Sequence, residues 1–210
     1  MLKKQLVRVA ARSSKLSRAQ VKEVEELYPF LIFKTIFIET RGDLDKKQSL
    51  RTMDKTDFFT KEVDELVLNG ICDLAIHSAK DLPDPIPEGL KVVAITKGVD
   101  SSDSLVIKGE LKKGMVIGTS SKRREENVLL LNPNVTFVDI RGTIEERLKM
   151  WEQGKIDAVV LAEAALIRLG LTHLSRIKLP GEVAPLQGRL ALVASTVTNE
   201  FWNANHQESC

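Results

Sequence analysis

The chain has 210 residues, with 31 lysines and arginines against 29 aspartates and glutamates, a formal net charge of +2. That length buries an ample core and suits one or two domains, and the near-even charge balance excludes a general nucleic-acid binder, which carries a strong basic excess. No apolar run is long enough to span a bilayer, and Cys72, Cys210, His77, His173 and His206 are too scattered for a metal or redox spacing.

Met1-Leu2-Lys3-Lys4-Gln5-Leu6 carries lysines but leads into no signal-like apolar stretch, because Arg8 and Arg12 interrupt it; a cytoplasmic protein is expected. A strand is predicted over 6–11, followed by the turn Arg12-Ser13-Ser14. Ser17-Arg18-Ala19-Gln20 reads as a capping box leading a helix over 18–27. A strand over 31–39 follows. Residues 41–56 are charged and lack apolar periodicity, so a mobile loop and lid is expected there. After a helix over 58–68, Leu74-Ala75-Ile76 reads as a buried strand that delivers His77, Ser78, Lys80 and Asp81 to its C-terminal end. Pro83, Pro85 and Pro87 then forbid helix and hold the chain extended.

Strands are predicted over 90–96, 105–107 and 115–118. The last runs into Thr119-Ser120-Ser121-Lys122-Arg123-Arg124, where Ser120 or Ser121 caps a helix over 122–131. Hydroxyls, free backbone N–H groups and two guanidinium forks at one helix start suit an anion. Cations in a first turn oppose the helix dipole, and that local conflict hints at ligand binding. A strand over 136–140 ends in the turn Arg141-Gly142. Thr143-Ile144-Glu145-Glu146 is a capping box opening a helix over 144–153 that carries Arg147. A strand over 158–162, helices over 164–169 and 199–207 and a strand over 190–195 complete the pattern. Alternating strands and helices argue for an α/β fold with mostly parallel sheets. Ligands of such sheets bind beyond the carboxyl ends of the strands. Arg12, Lys80, Arg123, Arg124 and Arg141 all stand at such ends, so one shared cleft would take a ligand with several negative charges.

These segments, in this order, resemble the hydroxymethylbilane synthase (porphobilinogen deaminase) family. The resemblance runs through Val7-Arg8-Val9-Ala10-Ala11-Arg12, Thr40-Arg41-Gly42-Asp43, His77-Ser78-Ala79-Lys80-Asp81-Leu82-Pro83 and Gly118-Thr119-Ser120-Ser121-Lys122-Arg123-Arg124. It continues through Ile140-Arg141-Gly142-Thr143, Arg147-Leu148, Asp157-Ala158-Val159-Val160-Leu161-Ala162 and Leu169-Gly170-Leu171. It implies two lobes like those of periplasmic binding proteins, with a ligand cleft between them: lobe 1 from 1–94 plus 189–210, lobe 2 from 95–188. It further implies a monomeric transferase of tetrapyrrole (haem) biosynthesis. Such an enzyme condenses four porphobilinogens with release of ammonia into hydroxymethylbilane, on a dipyrromethane cofactor attached to a cysteine. Asp81 would be the catalytic carboxylate, stabilising the electron-poor azafulvene left when ammonia departs. Arg12, Ser14, Lys80, Ser120, Ser121, Arg123, Arg124, Arg141, Gly142, Arg147 and Gln187 would hold the carboxylates of cofactor and growing chain.

Three departures from the family pattern stand out. The third domain, with its attachment cysteine, is not matched, which leaves Cys210 as the alternative anchor, while Cys72 reads as a core thiol. The glycine-rich lid is replaced by Met53-Asp54-Lys55-Thr56-Asp57-Phe58-Phe59, with Lys55 in place of its lysine. The late glycine-rich segment survives as Ala184-Pro185-Leu186-Gln187-Gly188-Arg189. Retention of Asp81 favours an enzyme. Absence of the family's anchor would favour a non-catalytic module that binds anionic pyrroles or another polycarboxylate. A two-lobed solute receptor is disfavoured by the lack of an export signal.

Overall fold

The computed structural model describes residues 4–45, 48–49, 51 and 56–197. In chain order the elements are β1 (Gln5–Arg12), α1 (Lys15–Leu27), β2 (Leu31–Ile38), α2 (Arg41–Leu44), α3 (Lys61–Leu68), β3 (Leu74–Ser78), β4 (Leu90–Ile95), β5 (Asp103–Ile107), β6 (Val116–Gly118), α4 (Lys122–Leu129), β7 (Thr136–Val138), α5 (Ile144–Glu152), β8 (Ala158–Ala162), α6 (Glu163–Arg168), β9 (Arg176–Lys178) and β10 (Leu190–Ser195). Single 3-10 turns span Asp57–Phe59 and Ala79–Asp81. The expected helix over 199–207 lies outside the described residues. No helix among the described residues is long and apolar enough to cross a membrane.

The described residues fall into two compact units, Met1–Leu44 with Lys55–Lys97 and Arg189–Cys210, and Asp45–Asp54 with Gly98–Gly188. Of residues 45–54, expected with the first lobe, the described Asp45, Gln48, Ser49 and Arg51 belong to the second unit. Asp45 O accepts from Arg141 Nη2 at 3.0 Å, Ser49 Oγ donates to Asp139, and Arg51 pairs with Glu125.

The first unit carries a five-stranded sheet in the order β2-β1-β3-β10-β4. β1 pairs parallel with β2 and β3, whereas β10 pairs antiparallel with β3 and β4. The period of two along a strand sorts β1 onto two faces. Val7, Val9 and Ala11 pack with Val21 and Val24 of α1, while Ala10 packs with Val63 and Val67 of α3. The second unit repeats the plan with the order β7-β6-β8-β5-β9. Here β6 pairs parallel with β7 and β8, and β5 pairs antiparallel with β8 and β9. One face packs on Val128 of α4. The other packs on Leu148 and Trp151 of α5 and Leu166 of α6.

Three local expectations need correction. Helix α1 starts at Lys15 rather than 18, because Ser14 is the N-cap and its Oγ accepts from Ser17 N at 3.2 Å. Gln20, expected in a capping box, instead donates to Ser78 Oγ at 2.8 Å and ties α1 to the end of β3. Arg41–Leu44 is a helical turn, not part of an open loop. Asp43 Oδ2 accepts from Thr40 N (3.0 Å) and Thr40 Oγ1 (2.9 Å), and Gly42 lies so close to the Phe59 ring that a Cβ would collide with it. Strand β9, which carries only Arg176-Ile177-Lys178, has no apolar alternation to announce it.

His77 is the deepest polar group on β3. It is buried, and its Nε2 lies 2.9 Å from Oδ1 of Asp64, itself buried on α3. This pair joins helix to strand just before the Lys80–Asp81 turn. Removing one partner leaves a buried polar group unsatisfied, which costs about 1–3 kcal/mol. Asp64→Ala is expected to lower unfolding stability by about that amount in denaturant titration, and an unchanged midpoint would show that the pair contributes nothing.

Candidate functional site

In the first unit, β3 ends at Ser78 and Ala79–Asp81 forms its 3-10 turn. Ala79 N donates to Arg189 O at 3.0 Å, which pins the turn to the start of β10. Lys80 and Asp81 are both half-buried. Among the described residues no hydrogen bond or ion pair engages the Asp81 carboxylate. Arg12, at the end of β1, is held firmly. Its Nε donates to Asp43 Oδ2 at 3.1 Å, its Nη2 pairs with Asp43 Oδ1, and its guanidinium stacks 4.6 Å from the centre of the Phe59 ring. Asp43 is driven both ways. Burial pushes its carboxyl upward, but hydrogen bonds and charge from Arg12, with help from Thr40, outweigh this and hold it below the usual carboxylate range. Ser14 spends its hydroxyl on capping α1.

In the second unit, Ser121 is the N-cap of α4 without a side-chain cap bond, so its hydroxyl stays available for other partners. Ser120 instead turns inward and donates to Ile140 O. Gly142 adopts φ +99°. A Cβ there would strike the Glu146 carboxylate, which accepts from Thr143 N at 2.8 Å in the capping box of α5. This left-handed turn, natural only to glycine, brings the ends of β7 and α5 together. Arg141 lies on one side of it, and Arg147 Nε donates to Gly142 O at 3.0 Å on the other.

The four arginines divide by partner. Arg123 Nη2 and Arg124 Nε and Nη2 converge on the buried carboxylate of Asp103 at 2.8, 3.0 and 2.6 Å. Arg123 Nη1 also donates to Glu182 O at 2.5 Å. Gln187 Nε2 reaches Asp103 Oδ1 at 3.1 Å and Ser101 O at 2.6 Å. All of these arginines have protein partners, Arg141 through Asp45 O and Arg147 through Gly142 O, and Arg124, Arg141 and Arg147 in addition stand close enough for their like charges to act on one another. The pKa of Arg147 is pushed down to about 10, first by burial and then by the positive charge of Arg124 and Arg141; Asp139 and Glu146 offset this only in part. Lys55 and Cys210 lie outside the described residues. Cys72 is 2% exposed within the core between β3 and α3.

Residues 7–202 match the family model described as "Porphobilinogen deaminase, dipyromethane cofactor binding domain". The chain belongs to the porphobilinogen deaminase family. It is 45% identical over 200 residues to a probable porphobilinogen deaminase of Chlamydia pneumoniae, covering 91% of this chain and 85% of that protein. It is 36% identical to the porphobilinogen deaminase of Geobacter sulfurreducens, covering 89% of this chain and 61% of that protein. Among solved structures, the periplasmic VFT2 domain of Bordetella pertussis BvgS aligns with a TM-score of 0.50 at 15% identity, over 94% of this chain and 83% of that one. A TRAP periplasmic solute binding protein from Desulfovibrio salexigens aligns with a TM-score of 0.50 at 12% identity, over 96% and 68%. The structural likenesses speak to fold alone: an α/β, periplasmic-binding-protein-like architecture.

Sequence reasoning missed Asp103 and Asp43 as partners of the site arginines. Asp103 carried a signal, since an acid standing just ahead of the apolar run Leu105-Val106-Ile107 starts a fully buried strand. Buried acids are almost always paired. Asp43 was visible only as one charge in a charged loop.

The Arg147 shift has a stability consequence. A base whose folded pKa is depressed is destabilised in its charged form at every pH below about 10, and regains stability only as pH rises through that value. At neutral pH the cost of holding this buried charge beside Arg124 and Arg141 is fully present. Arg147→Met keeps the aliphatic stem and removes the charge, so the ligand-free variant is expected to melt higher. The gain is about 2–4 °C for each kcal/mol of burial and repulsion cost relieved, read by calorimetry; a lower melting temperature would show that Arg147 is net stabilising.

Proposed function

We propose that this chain condenses porphobilinogen units head to tail with release of ammonia, yielding hydroxymethylbilane as a step in tetrapyrrole biosynthesis. The carrying observation is the gathering of Arg124, Arg141 and Arg147, where burial first and the neighbouring positive charges second lower the pKa of Arg147. Porphobilinogen carries an acetate and a propionate, and guanidinium forks match carboxylates bidentately. Family membership supplies the reaction class. The reading includes a monomeric cytoplasmic enzyme whose partners are porphobilinogen and linear pyrrole chains.

The residues present fit the carboxylate side chains of a dipyrromethane. Arg124, Arg141 and Arg147 in the second unit, with Ser121 beside them, would hold these side chains, as would Arg12 and Lys80 in the first. When bound, the cofactor supplies the unsubstituted pyrrole carbon from which the chain grows. Cys72, enclosed in the core, is unsuited as its anchor. In each condensation the aminomethyl C–N bond of the incoming porphobilinogen breaks, ammonia leaves, and its methylene carbon bonds the unsubstituted α-carbon of the preceding ring, which then loses its ring proton; after the fourth, water adds at the methylene of the first-added ring as the product is released, giving the hydroxymethyl group. Asp81 would stabilise the cation left by ammonia and take part in that proton transfer. A fixed carboxylate serves both roles when water is excluded.

Two substitutions test this. Asp81→Asn is expected to lower ammonia release on the order of a hundredfold or more with the fold intact; near-normal release would remove Asp81 from the chemistry. Arg124→Ala is expected to weaken binding of a pyrrole bearing the acetate and propionate but no aminomethyl group by roughly 1.5–3 kcal/mol. Unchanged affinity on titration would mean that Arg124 is an ordinary solvated arginine.

A further inference from the structure

We propose that Asp103 is a positioning residue that aims Arg124 at a ligand carboxylate, while Arg123 and Gln187 brace Asp103 rather than touch the ligand. This inference rests on the carboxylate-binding role given above to Arg124, and it concerns how that role is set.

Asp103 opens β5, a strand flanked on both sides by β8 and β9, and only 1% of it is exposed. A carboxylate so deep requires partners, since an unpaired buried charge is strongly unfavourable. The four N–H···O contacts to its oxygens come from Arg123 Nη2, from Arg124 Nε and Nη2, and from Gln187 Nε2. Burial pushes the Asp103 carboxyl upward, but the charge of Arg124 and the hydrogen bonds of both arginines outweigh it and hold the group ionised.

The two arginines are used differently. Arg123 spans Asp103 and Glu182 O, and Asn127 Nδ2 adds a 2.8 Å bond to the same carbonyl. Its fork stitches α4 to the 182–187 segment. Gln187 does the same from the other end by bonding Ser101 O. Arg124 presents its Nε–Nη2 edge to a single oxygen, Asp103 Oδ1. Among the described residues no other hydrogen bond to Arg124 occurs, so its Nη1 remains for a ligand. A guanidinium is planar, so fixing one edge fixes the plane and the direction of the other edge. Two cations share one carboxylate, which leaves a net positive charge. That charge reaches Arg147, whose pKa Arg124 helps to depress. Asp103 therefore holds Arg124 without neutralising it as a fully matched ion pair would.

A double-mutant cycle separates positioning from mere structural support. The readout is the Kd for the pyrrole that bears acetate and propionate but no aminomethyl group, measured on the full chain. Arg124→Ala and Asp103→Asn are each expected to raise Kd about tenfold or more, and the double variant is expected to match Arg124→Ala alone within about twofold. Asp103→Glu, which keeps the charge but moves it by one methylene, is expected to weaken binding in the same Arg124-dependent way and serves in the cycle should Asp103→Asn not fold. Multiplicative losses in the double variant would overturn the proposal, as would full affinity in Asp103→Asn. If Arg124→Ala itself binds normally, the carboxylate-binding role fails first and the positioning role falls with it.

Discussion

Two guanidinium groups share one buried carboxylate in the second unit, and the site chemistry follows from that imbalance. Asp103 is committed to the interior by its place at the head of a fully buried strand. It must be ionised and paired there, and Arg123, Arg124 and Gln187 meet that requirement. A surplus positive charge is the unavoidable result. Arg141 and Arg147 enlarge the surplus, and Asp139 and Glu146 reduce it only partly. Repulsion of this kind costs stability, which is the usual exchange of stability for function where a site is built to take an anion.

The first unit follows another logic. Arg12 is not in surplus: Asp43 matches it with two contacts and Phe59 covers its face. The match depends on a short helical turn, which depends in turn on Thr40 bonding Asp43 and on Gly42 allowing the Phe59 ring to approach. Asp81 sits on a turn held by the bond from Ala79 to Arg189 and by the anchors of the preceding strand, Gln20–Ser78 and His77–Asp64.

Gly142 and Gly188 show how backbone chemistry supports these charges. At Gly142 a left-handed turn lets the capping box of α5 form directly beside Arg141. At Gly188 a Cβ would strike the backbone of Asp100, and its carbonyl accepts from Arg168 Nη2 at 2.9 Å. In both places the absence of a side chain permits a close approach that fixes a charged neighbour.

Much of this was legible in the chain alone. Alternating apolar runs, helix caps and turn residues are local, so β1, β3, β8, β10 and α5 fall close to where periodicity and capping place them, and the order of motifs identifies the family. The arginines at strand ends were legible as a group because strand-to-helix turns put their first residues at one end of a sheet. The partners were not. Asp103 lies 20 and 21 residues from Arg123 and Arg124, Gln187 lies 84 residues from Asp103, and Asp43 lies 31 residues from Arg12. Such pairings carry no periodic signal, because they arise only when the sheet order brings distant segments together. Composition and spacing therefore determined which charges the protein has and which turns carry them. Only the tertiary structure decided which of those charges are spent on one another, since neutralisation depends on distance in space and on burial.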